Sequence, residues 1–273
     1  MASYKETFDE LKNKNQGALV AFTVIGDPDY KTSLEIAKKM IDSGADILEL
    51  GLPFSDPIAD GPTIQAADVR ALKSGMNTDR VFYFLREIRE SNKKNNKKIP
   101  IGLLVYGNLI LQRGVEKFYK DAANSGVNSI LAADVPIEEA DDYIKAAKDN
   151  KVGTVFIISP LTSDERIKKI ADKTTGFVYV VSRLGVTGAK ATLEGSTLGL
   201  IKKIKKFSNK PLCVGFGISK PEHVKAVIKA GADGAIVGSA IVSLIEKNAN
   251  RKNKMLNDIR NYIKPMKNAT RIL

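Results

Sequence analysis

Short apolar runs recur along the whole chain, and most of them are continuous rather than alternating. Continuous runs of this kind are typical of parallel strands that are covered on both faces. Each run is therefore predicted to form one strand of a parallel sheet. The eight predicted strands are Ala18–Ile25, Asp46–Gly51, Ile101–Tyr106, Ser129–Asp134, Thr154–Ile158, Phe177–Val181, Leu212–Gly215 and Gly234–Val237.

Amphipathic segments separate these strands and predict helices. In the segment Thr32–Ser43, apolar residues repeat at helical spacing, and Gly44 follows as a natural stop. Thr32 and Glu35 have the spacing of a capping box, which predicts that Thr32 caps this helix. The order of helix, glycine and apolar strand recurs further along the chain, which indicates repeated β-α units.

The number and order of these elements predict an α/β fold. Eight strands with intervening helices, and no linker rich in proline, glycine or serine, favour a single (β/α)8 TIM barrel domain over residues 1–273. An open doubly wound sheet is the alternative. Additional helices are expected at the N-terminus (Tyr4–Lys12, beneath the barrel) and as an insertion after the second strand (Thr63–Ser74). The tail predicts a last helix over Asn253–Ile263, followed by Pro265 and a frayed end.

The chain is basic, with a formal net charge of +12 from 43 Lys+Arg against 31 Asp+Glu. The basic residues are dispersed along predicted helices, as at Lys93-Lys94 and Lys97-Lys98, and no pattern of interleaved aromatic residues accompanies them. We interpret them as solvated helix faces and expect no nucleic-acid partner. A positive field also favours a phosphorylated substrate.

Cysteine and histidine occur once each, as Cys213 and His223. A disulfide framework and a thiolate metal cluster are thereby excluded, and no metal site is predicted. His223 follows Pro221 and is interpreted as a surface residue near a helix start. Because the chain has neither a signal-peptide apolar region nor an apolar run of membrane-spanning length, we expect a cytoplasmic protein without membrane contact.

Glu49 is a carboxylate inside the apolar run of the second predicted strand. Burial of a carboxylate is unfavourable unless it is paired, hydrogen-bonded or neutralised. Asp60 follows in the next loop, and in a barrel the chemistry lies at the carboxyl ends of strands and in the loops after them. Glu49 and Asp60 are therefore predicted to be a catalytic proton-transfer pair. The alternatives are a buried salt-bridge partner for Glu49 and a turn residue before Gly61 for Asp60.

Glycine-containing turns follow the last two predicted strands. Gly217 lies after Leu212–Gly215, while Gly238 and Ser239 follow Gly234–Val237. Glycines let backbone N–H groups approach an anion closely, and a helix N-terminus adds a favourable dipole. Two such turns on the seventh and eighth strands predict a phosphate site, although each alone is also compatible with a simple turn.

A longer loop after the sixth strand is predicted to be a lid. Its polar stretch begins at Ser182, contains Arg183 and Gly185, and ends near Gly195. Glycines at both ends suit a loop that closes over a substrate and excludes water, and an ordinary mobile loop is the alternative. Aromatic residues at or near strand ends are candidates for an apolar pocket, although each is also compatible with core packing. They are Phe22, Tyr106, Tyr179 and Phe216.

The segment Leu48–Gln65, with the sequence LELGLPFSDPIADGPTIQ, closely resembles the signature of the tryptophan synthase alpha subunit family. The similarity extends across essentially the whole chain, but the long signature is its specific part. Further similar segments follow in the family's order: Phe22–Pro28, Tyr106–Asn108, Ala133–Pro136, Ser182–Gly188, Gly215–Ser219 and Gly238-Ser239.

The resemblance implies a lyase that cleaves indole-3-glycerol phosphate to indole and glyceraldehyde 3-phosphate in a retro-aldol step. It implies that Glu49 handles the protons at indole C3 and at the side-chain hydroxyl, and that Asp60 pairs with the indole N–H. It also implies that Thr187 assists Asp60 when the lid closes. The implied phosphate ligands are Gly188, Gly217, Gly238 and Ser239, and the implied indole pocket is formed by Phe22, Tyr106, Tyr179 and Phe216.

The family works with a beta subunit, which implies an allosteric heterotetramer of two alpha and two beta subunits. The beta subunit carries pyridoxal phosphate and receives indole through a tunnel, whereas no cofactor is expected in this chain. Pro53, Asp56 and Asn108 are the positions expected to face that partner.

Three rival functions remain open at this stage. A rival enzyme of the same barrel class is a sugar-phosphate isomerase or an indole-glycerol-phosphate-forming synthase. That synthase would need a catalytic lysine at a strand end, and none stands at the predicted carboxyl ends. A catalytically silent barrel that only activates a partner enzyme would not need both Glu49 and Asp60. A basic RNA-binding protein would show steeply salt-dependent binding.

Overall fold

The computed structural model describes residues 3–181, 195–215 and 217–272. Parallel strands dominate its centre, and their positions agree with the apolar runs to within a few residues. The strands are β1 (Ala18–Val24), β2 (Ile47–Gly51), β3 (Ile101–Val105), β4 (Ser129–Ala132), β5 (Gly153–Thr154), β6 (Phe156–Ile158), β7 (Val178–Val181), β8 (Leu212–Gly215) and β9 (Gly234–Val237).

The strands form one sheet in the order β5-β4-β3-β2-β1-β9-β8-β7-β6. Only Val155 separates β5 from β6, and these two short strands pair with β4 and β7 respectively. They are two halves of one barrel strand, interrupted at Val155. The architecture is therefore the predicted (β/α)8 TIM barrel with additional helices. The prediction that residues 1–273 make a single domain stays a prediction.

Helices follow the strands and cover the outside of the barrel. The predicted N-terminal and inserted helices are present as α1 and α3. The helices are α1 (Tyr4–Asn13), α2 (Tyr30–Asp42), α3 (Pro62–Lys73), α4 (Thr78–Lys94), α5 (Gly107–Arg113), α6 (Val115–Asn124), α7 (Asp141–Asp149), α8 (Asp164–Lys173), α9 (Gly195–Phe207), α10 (Pro221–Lys229), α11 (Ser239–Lys247) and α12 (Lys252–Asn268).

Helix α1 covers the amino-terminal end of the barrel. Tyr4 is buried, and its hydroxyl group lies 2.7 Å from the hydroxyl group of Ser129 at the start of β4. The Tyr4 ring also contacts the edge of Phe177 at 5.5 Å between centroids. Because this end is filled by α1, a ligand can enter the barrel only from the opposite, carboxyl-terminal end of the strands.

Two predicted helix boundaries are wrong. The cap of α2 is Asp29 rather than Thr32, since the Asp29 side chain accepts a hydrogen bond from the Thr32 N–H at 3.0 Å. Helix α12 continues through Pro265 instead of ending before it. Its buried face includes Met266, and Lys267 forms a salt bridge of 2.7 Å with Asp46. These tertiary contacts outweigh the roughly 3 kcal/mol that an internal proline costs a helix.

The strand register sets the depth of the catalytic candidate. Glu49 is level with Phe22 on β1 and with Gly102 on β3. It is the third of the five residues of β2, and only Leu50 and Gly51 follow it before the strand ends at the carboxyl-terminal end of the barrel. Within the described ranges, no helix combines the length and apolar character that crossing a membrane requires.

Candidate active site

A cavity at the carboxyl-terminal end of the barrel contains the two predicted catalytic carboxylates. Its wall is mostly apolar, with Glu49 and Asp60 as the acidic groups, which is the composition expected of a site for a small ligand. The lining residues are Phe22, Glu49, Ala59, Asp60, Gly61, Ile64, Leu104, Leu131, Ala133, Ile157, Tyr179, Ile236, Gly238 and Ser239.

Glu49 is buried, with only 4% of its surface exposed. Its Oε2 atom has no hydrogen-bond partner among the described residues, and no salt bridge neutralises it there. Burial, and to a smaller extent the negative charge of Asp60, raises the pKa of Glu49 to about 8. Near neutral pH the side chain is therefore a neutral carboxylic acid that holds a proton inside an apolar cavity. The structural alternative of a buried salt-bridge partner is not what the described residues show.

Asp60 is held by the hydroxyl group of Tyr106. The Tyr106 hydroxyl donates to Oδ2 of Asp60 at 2.7 Å and accepts a hydrogen bond from the Ala59 N–H at 3.1 Å. Burial raises the pKa of Asp60, and the hydrogen bond from Tyr106 opposes that rise. The two carboxyl groups thus differ in environment, since Asp60 has a donor and Oε2 of Glu49 has none.

The loop that carries Asp60 is anchored at several points. The Phe54 ring stacks on the Tyr106 ring with centroids 5.1 Å apart. The side-chain amide of Gln65 donates to the Asp60 carbonyl oxygen at 2.9 Å. Directly after the loop, Pro62 opens α3 at the first helical position, where a missing N–H has no cost. Asp60 is therefore positioned by its neighbours and is more than a simple turn residue.

Asp68 is a third buried carboxyl group near the site, and the sequence reasoning missed it. It lies on α3 and is 4% exposed. Burial raises its pKa to about 8, with a smaller contribution from Asp60, while a hydrogen bond from the Phe54 backbone opposes the rise. The available signal was its position, because Ile64, Asp68 and Ala71 share one buried helix face.

The structure separates the predicted aromatic pocket residues into two groups. Phe22 and Tyr179 line the cavity. Tyr106 is buried but does not line it, because its hydroxyl group turns to Asp60. Tyr179 also packs against Gly215, where an added Cβ would lie 2.6 Å from the tyrosine hydroxyl oxygen. A glycine is thus required beside Tyr179.

The predicted phosphate residues outside the lid lie at the same end of the barrel. Gly238 and Ser239 line the cavity, and Ser239 is the first residue of α11. Gly217 has a φ of 79°, a left-handed conformation that favours glycine. Backbone N–H groups at a helix start and in a glycine turn suit an anion.

His223 supports the Gly217 turn and is a second residue that the sequence reasoning misread. It is 8% exposed, so its interpretation as a surface residue is wrong. Its Nδ1 atom lies 3.0 Å from the Gly217 carbonyl oxygen and 3.3 Å from the Ser219 nitrogen. The imidazole therefore contacts the backbone on both sides of the turn. A proline two residues before His223 indicated the helix start but not the direction of the side chain.

Several predicted residues lie outside the described residues. They are the lid residues Arg183 and Gly185, the implied Asp60 partner Thr187, the implied phosphate ligand Gly188 and the pocket residue Phe216.

The residues predicted to face a partner differ in exposure. Asp56 and Asn108 are exposed, whereas Pro53 is buried within the chain itself. Large apolar side chains are exposed nearby in sequence, on segments that follow strands at the carboxyl-terminal end. They are Ile58 after β2, Leu111 on α5 after β3 and Leu161 after β6, with 81%, 60% and 76% of their surface exposed.

Comparison with known proteins shows the family of this chain. The family model for the tryptophan synthase alpha chain matches residues 8–271. The tryptophan synthase alpha chain of Methanothermobacter thermautotrophicus is 48% identical over 267 residues, which cover 98% of this chain and 96% of the relative. The solved tryptophan synthase subunit alpha of Legionella pneumophila has a TM-score of 0.88 at 31% identity, covering 99% and 98% of the two chains. A chain in the tryptophan synthase complex from Pyrococcus furiosus has a TM-score of 0.81 at 36% identity, covering 92% and 98%. The chain belongs to the tryptophan synthase alpha chain family.

Proposed function

We propose that this chain is the alpha subunit of a tryptophan synthase and acts in L-tryptophan biosynthesis. It cleaves indole-3-glycerol phosphate to indole and glyceraldehyde 3-phosphate, as a carbon-carbon lyase. Family membership supports this reaction. The observation that carries the mechanism is the burial of Glu49, whose Oε2 has no partner among the described residues, in an apolar cavity that also contains Asp60.

Glu49 is proposed to move both protons of the reaction. Its carboxylic acid protonates C3 of the indole ring, which converts the ring into an electron sink. The Glu49 carboxylate formed in that step then removes the proton of the side-chain hydroxyl group. The carbon-carbon bond breaks, its electron pair returns to the ring, an aldehyde forms, and Glu49 regains its proton. A raised pKa suits this role, because acid-base catalysis is efficient when the pKa lies near the working pH.

Asp60 is proposed to bind the indole N–H and to stabilise the positive charge that develops when C3 is protonated. A carboxylate placed where charge develops is an effective electrostatic catalyst in a site that excludes water. Tyr106 fixes the Asp60 side chain before substrate arrives by a hydrogen bond to one of the two carboxylate oxygens. The other oxygen is then available to the ring nitrogen.

The substrate's phosphate group is proposed to bind at the turn of Gly217 and at Gly238 and Ser239. Phe22 and Tyr179 then bracket the indole ring. The lid residues Arg183 and Gly185, with Thr187, Gly188 and Phe216, are proposed to complete the site on the family's pattern. A cytoplasmic location remains part of this proposal.

The partner is proposed to be a tryptophan synthase beta subunit, in an assembly of two alpha and two beta subunits with pyridoxal phosphate on each beta subunit. The structure from Pyrococcus furiosus is described as a tryptophan synthase complex. The exposed side chains of Ile58, Leu111 and Leu161 support a partner at the catalytic end, because large apolar groups on a surface often mark an interface. Asp56 and Asn108 would lie among them, and indole would pass directly to the partner.

The test is release of indole from indole-3-glycerol phosphate, by the chain alone and with a beta subunit added. Turnover that rises with the partner is expected. Glu49→Gln should lower kcat by at least ~10²-fold, the usual effect of removing a positioned acid-base group. Glu116→Gln, an exposed position on α6, is the matched control and should leave kcat unchanged.

Two outcomes would overturn the proposal. Absence of indole release under both conditions would contradict the reaction itself. If no indole were released but both the wild type and Glu49→Gln stimulated the beta subunit, the chain would be a silent activator rather than an enzyme.

A further inference from the structure

A groove at the amino-terminal end of the barrel is unusually basic. It lies between the end of α4 and the end of α6, beside the residues that lead into β3 and β4, and is therefore opposite the catalytic end. Its volume is about 590 Å³, within the range of small-molecule sites. Its cationic residues are Arg86, Arg89, Lys93, Lys97 and Lys98.

These cations are not balanced by the groove's own acidic groups. Five side-chain cations against the single carboxylate of Glu90 leave four positive charges. The C-terminal ends of α4 and α6 together remove about one of them, at roughly half a charge each. None of the five cations forms a salt bridge with a described residue. Lys98 also interacts with the Glu6 carboxylate outside the groove, so a surplus of about two to three charges remains, which suits an anion of high charge.

Arg89 is the cation for which this imbalance is most costly. It is partly buried, and its guanidinium donates to neutral acceptors only: the carbonyl oxygens of Gly126 at 2.8 Å and of Ile99 at 2.7 Å, and the side-chain oxygen of Asn128. Burial lowers the pKa of Arg89 to about 10. A buried charge without a counter-charge is unfavourable, so an anion in the groove would offset the penalty.

Asn92 is a second, neutral indication of a ligand. It lines the same groove, is 5% exposed, and its Nδ2 atom is buried with no hydrogen-bond partner among the described residues. A buried amide donor without an acceptor typically costs ~1–3 kcal/mol. Since Nδ2 is sealed from solvent in this conformation, an oxyanion in the groove would supply the missing acceptor when the Asn92 side chain rotates toward it.

We propose that this groove binds a small anion that carries two or more phosphoryl groups. Arginine and lysine side chains are the usual ligands of such groups, and Arg86 uses only one N–H in a described hydrogen bond, to Ser125 at 3.1 Å. A single-stranded nucleic acid is a poorer match, because no aromatic side chain lines the groove to stack on a base. Inorganic polyphosphate and the phosphate chain of a nucleotide share the proposed chemistry.

The test is calorimetric titration of the full chain with sodium tripolyphosphate, at constant ionic strength and without divalent cations. We expect saturable binding that Lys93→Gln/Lys97→Gln weakens about tenfold or more, since it removes two charge-assisted contacts. Lys225→Gln/Lys229→Gln on α10 is the matched control, because it removes two exposed lysines with the same spacing. It should leave the affinity unchanged. An equal loss in both variants, or no binding at millimolar tripolyphosphate, would overturn the proposal.

Asn92→Leu separates a built site from a diffuse positive surface. It changes no charge, so diffuse attraction would leave the affinity at the wild-type value, which would refute the site. We expect at least a threefold loss of affinity with an unchanged or higher melting temperature, because the variant removes an unpaired buried amide. Titration with ATP identifies the source of the anion: affinity equal to that of tripolyphosphate indicates recognition of the phosphate chain alone, and tighter binding indicates a nucleotide.

Discussion

The hydroxyl group of Tyr106 joins the loop after β2 to the end of β3 by its hydrogen bond to Oδ2 of Asp60, at 2.7 Å. The two residues are 46 positions apart in the chain. The same hydroxyl accepts the Ala59 N–H. One side chain therefore positions a proposed catalytic carboxylate and the backbone that carries it.

Tyr106→Phe removes both hydrogen bonds and keeps the ring that stacks on Phe54. We expect kcat/KM to fall about tenfold, since the lost bond involves a charged acceptor. The bond from Tyr106 lowers the pKa of Asp60. Its loss should therefore move the acid limb of the kcat/KM profile to higher pH. A uniform loss of rate with an unmoved limb would indicate that Tyr106 only supports the loop.

Glu49 should make the stability of the protein depend on pH. Burial in the folded chain raises its pKa from the ordinary 4.5 to about 8. A raised carboxyl pKa means that its full contribution to stability is present below pH 4.5 and is lost as the pH rises toward 8. Glu49→Gln escapes this loss. The free energy of unfolding of Glu49→Gln, relative to that of the wild type, should therefore increase by up to about 3 kcal/mol between pH 5 and pH 8. Denaturant titrations at both pH values measure the gain, and a constant difference would contradict the raised pKa.

Asp68→Asn should be tolerated, because near neutral pH Asp68 is itself a neutral group and asparagine keeps an oxygen for the Phe54 N–H. We expect kcat/KM within about threefold of the wild type and greater stability at pH 8 to 9. Asp68→Leu is the contrasting variant, which loses the acceptor and should lower kcat about tenfold by freeing the loop. If the asparagine variant were as inactive as the leucine variant, the Asp68 proton itself would be needed for catalysis.

His223→Leu should weaken substrate binding without slowing the chemistry. The variant removes the contacts to the Gly217 carbonyl and the Ser219 nitrogen, so the proposed phosphate turn loses its support. We expect KM to rise about tenfold at an unchanged kcat. His223→Asn places a polar atom near the position of Nδ1 and should recover part of the affinity. A fall in kcat alone would place the effect outside phosphate binding.

Much of the fold could be predicted because its signals are local. Each barrel strand is a continuous apolar run, and Glu49 is conspicuous because it interrupts one of them. The cap of α2 was missed because Asp29 and Thr32 are both good capping residues, and only the backbone conformation decides between them. The path of α12 through Pro265 depends on partners such as Asp46, more than two hundred residues away in the chain.

The candidate site was predictable in its acids and less so in the groups that hold them. Tyr106 was expected against the indole ring, but its contact with Asp60 depends on how two separate loops meet. Asp68 and His223 carry no motif, and their importance arises from burial that a helical pattern alone does not assign.

The interruption at Val155 divides what would be one barrel strand into pieces of two and three residues. The hydrogen-bonded ladder connects β5 to β6 through all seven of the other strands. Because the chain itself joins β5 to β6 through Val155, the barrel can open here only by separating β5 from β4 or β6 from β7, which pair over just two and three residues. Amide hydrogens next to Val155 should then exchange with solvent through smaller openings than those of β1 and β2, which have the longest paired register in the sheet.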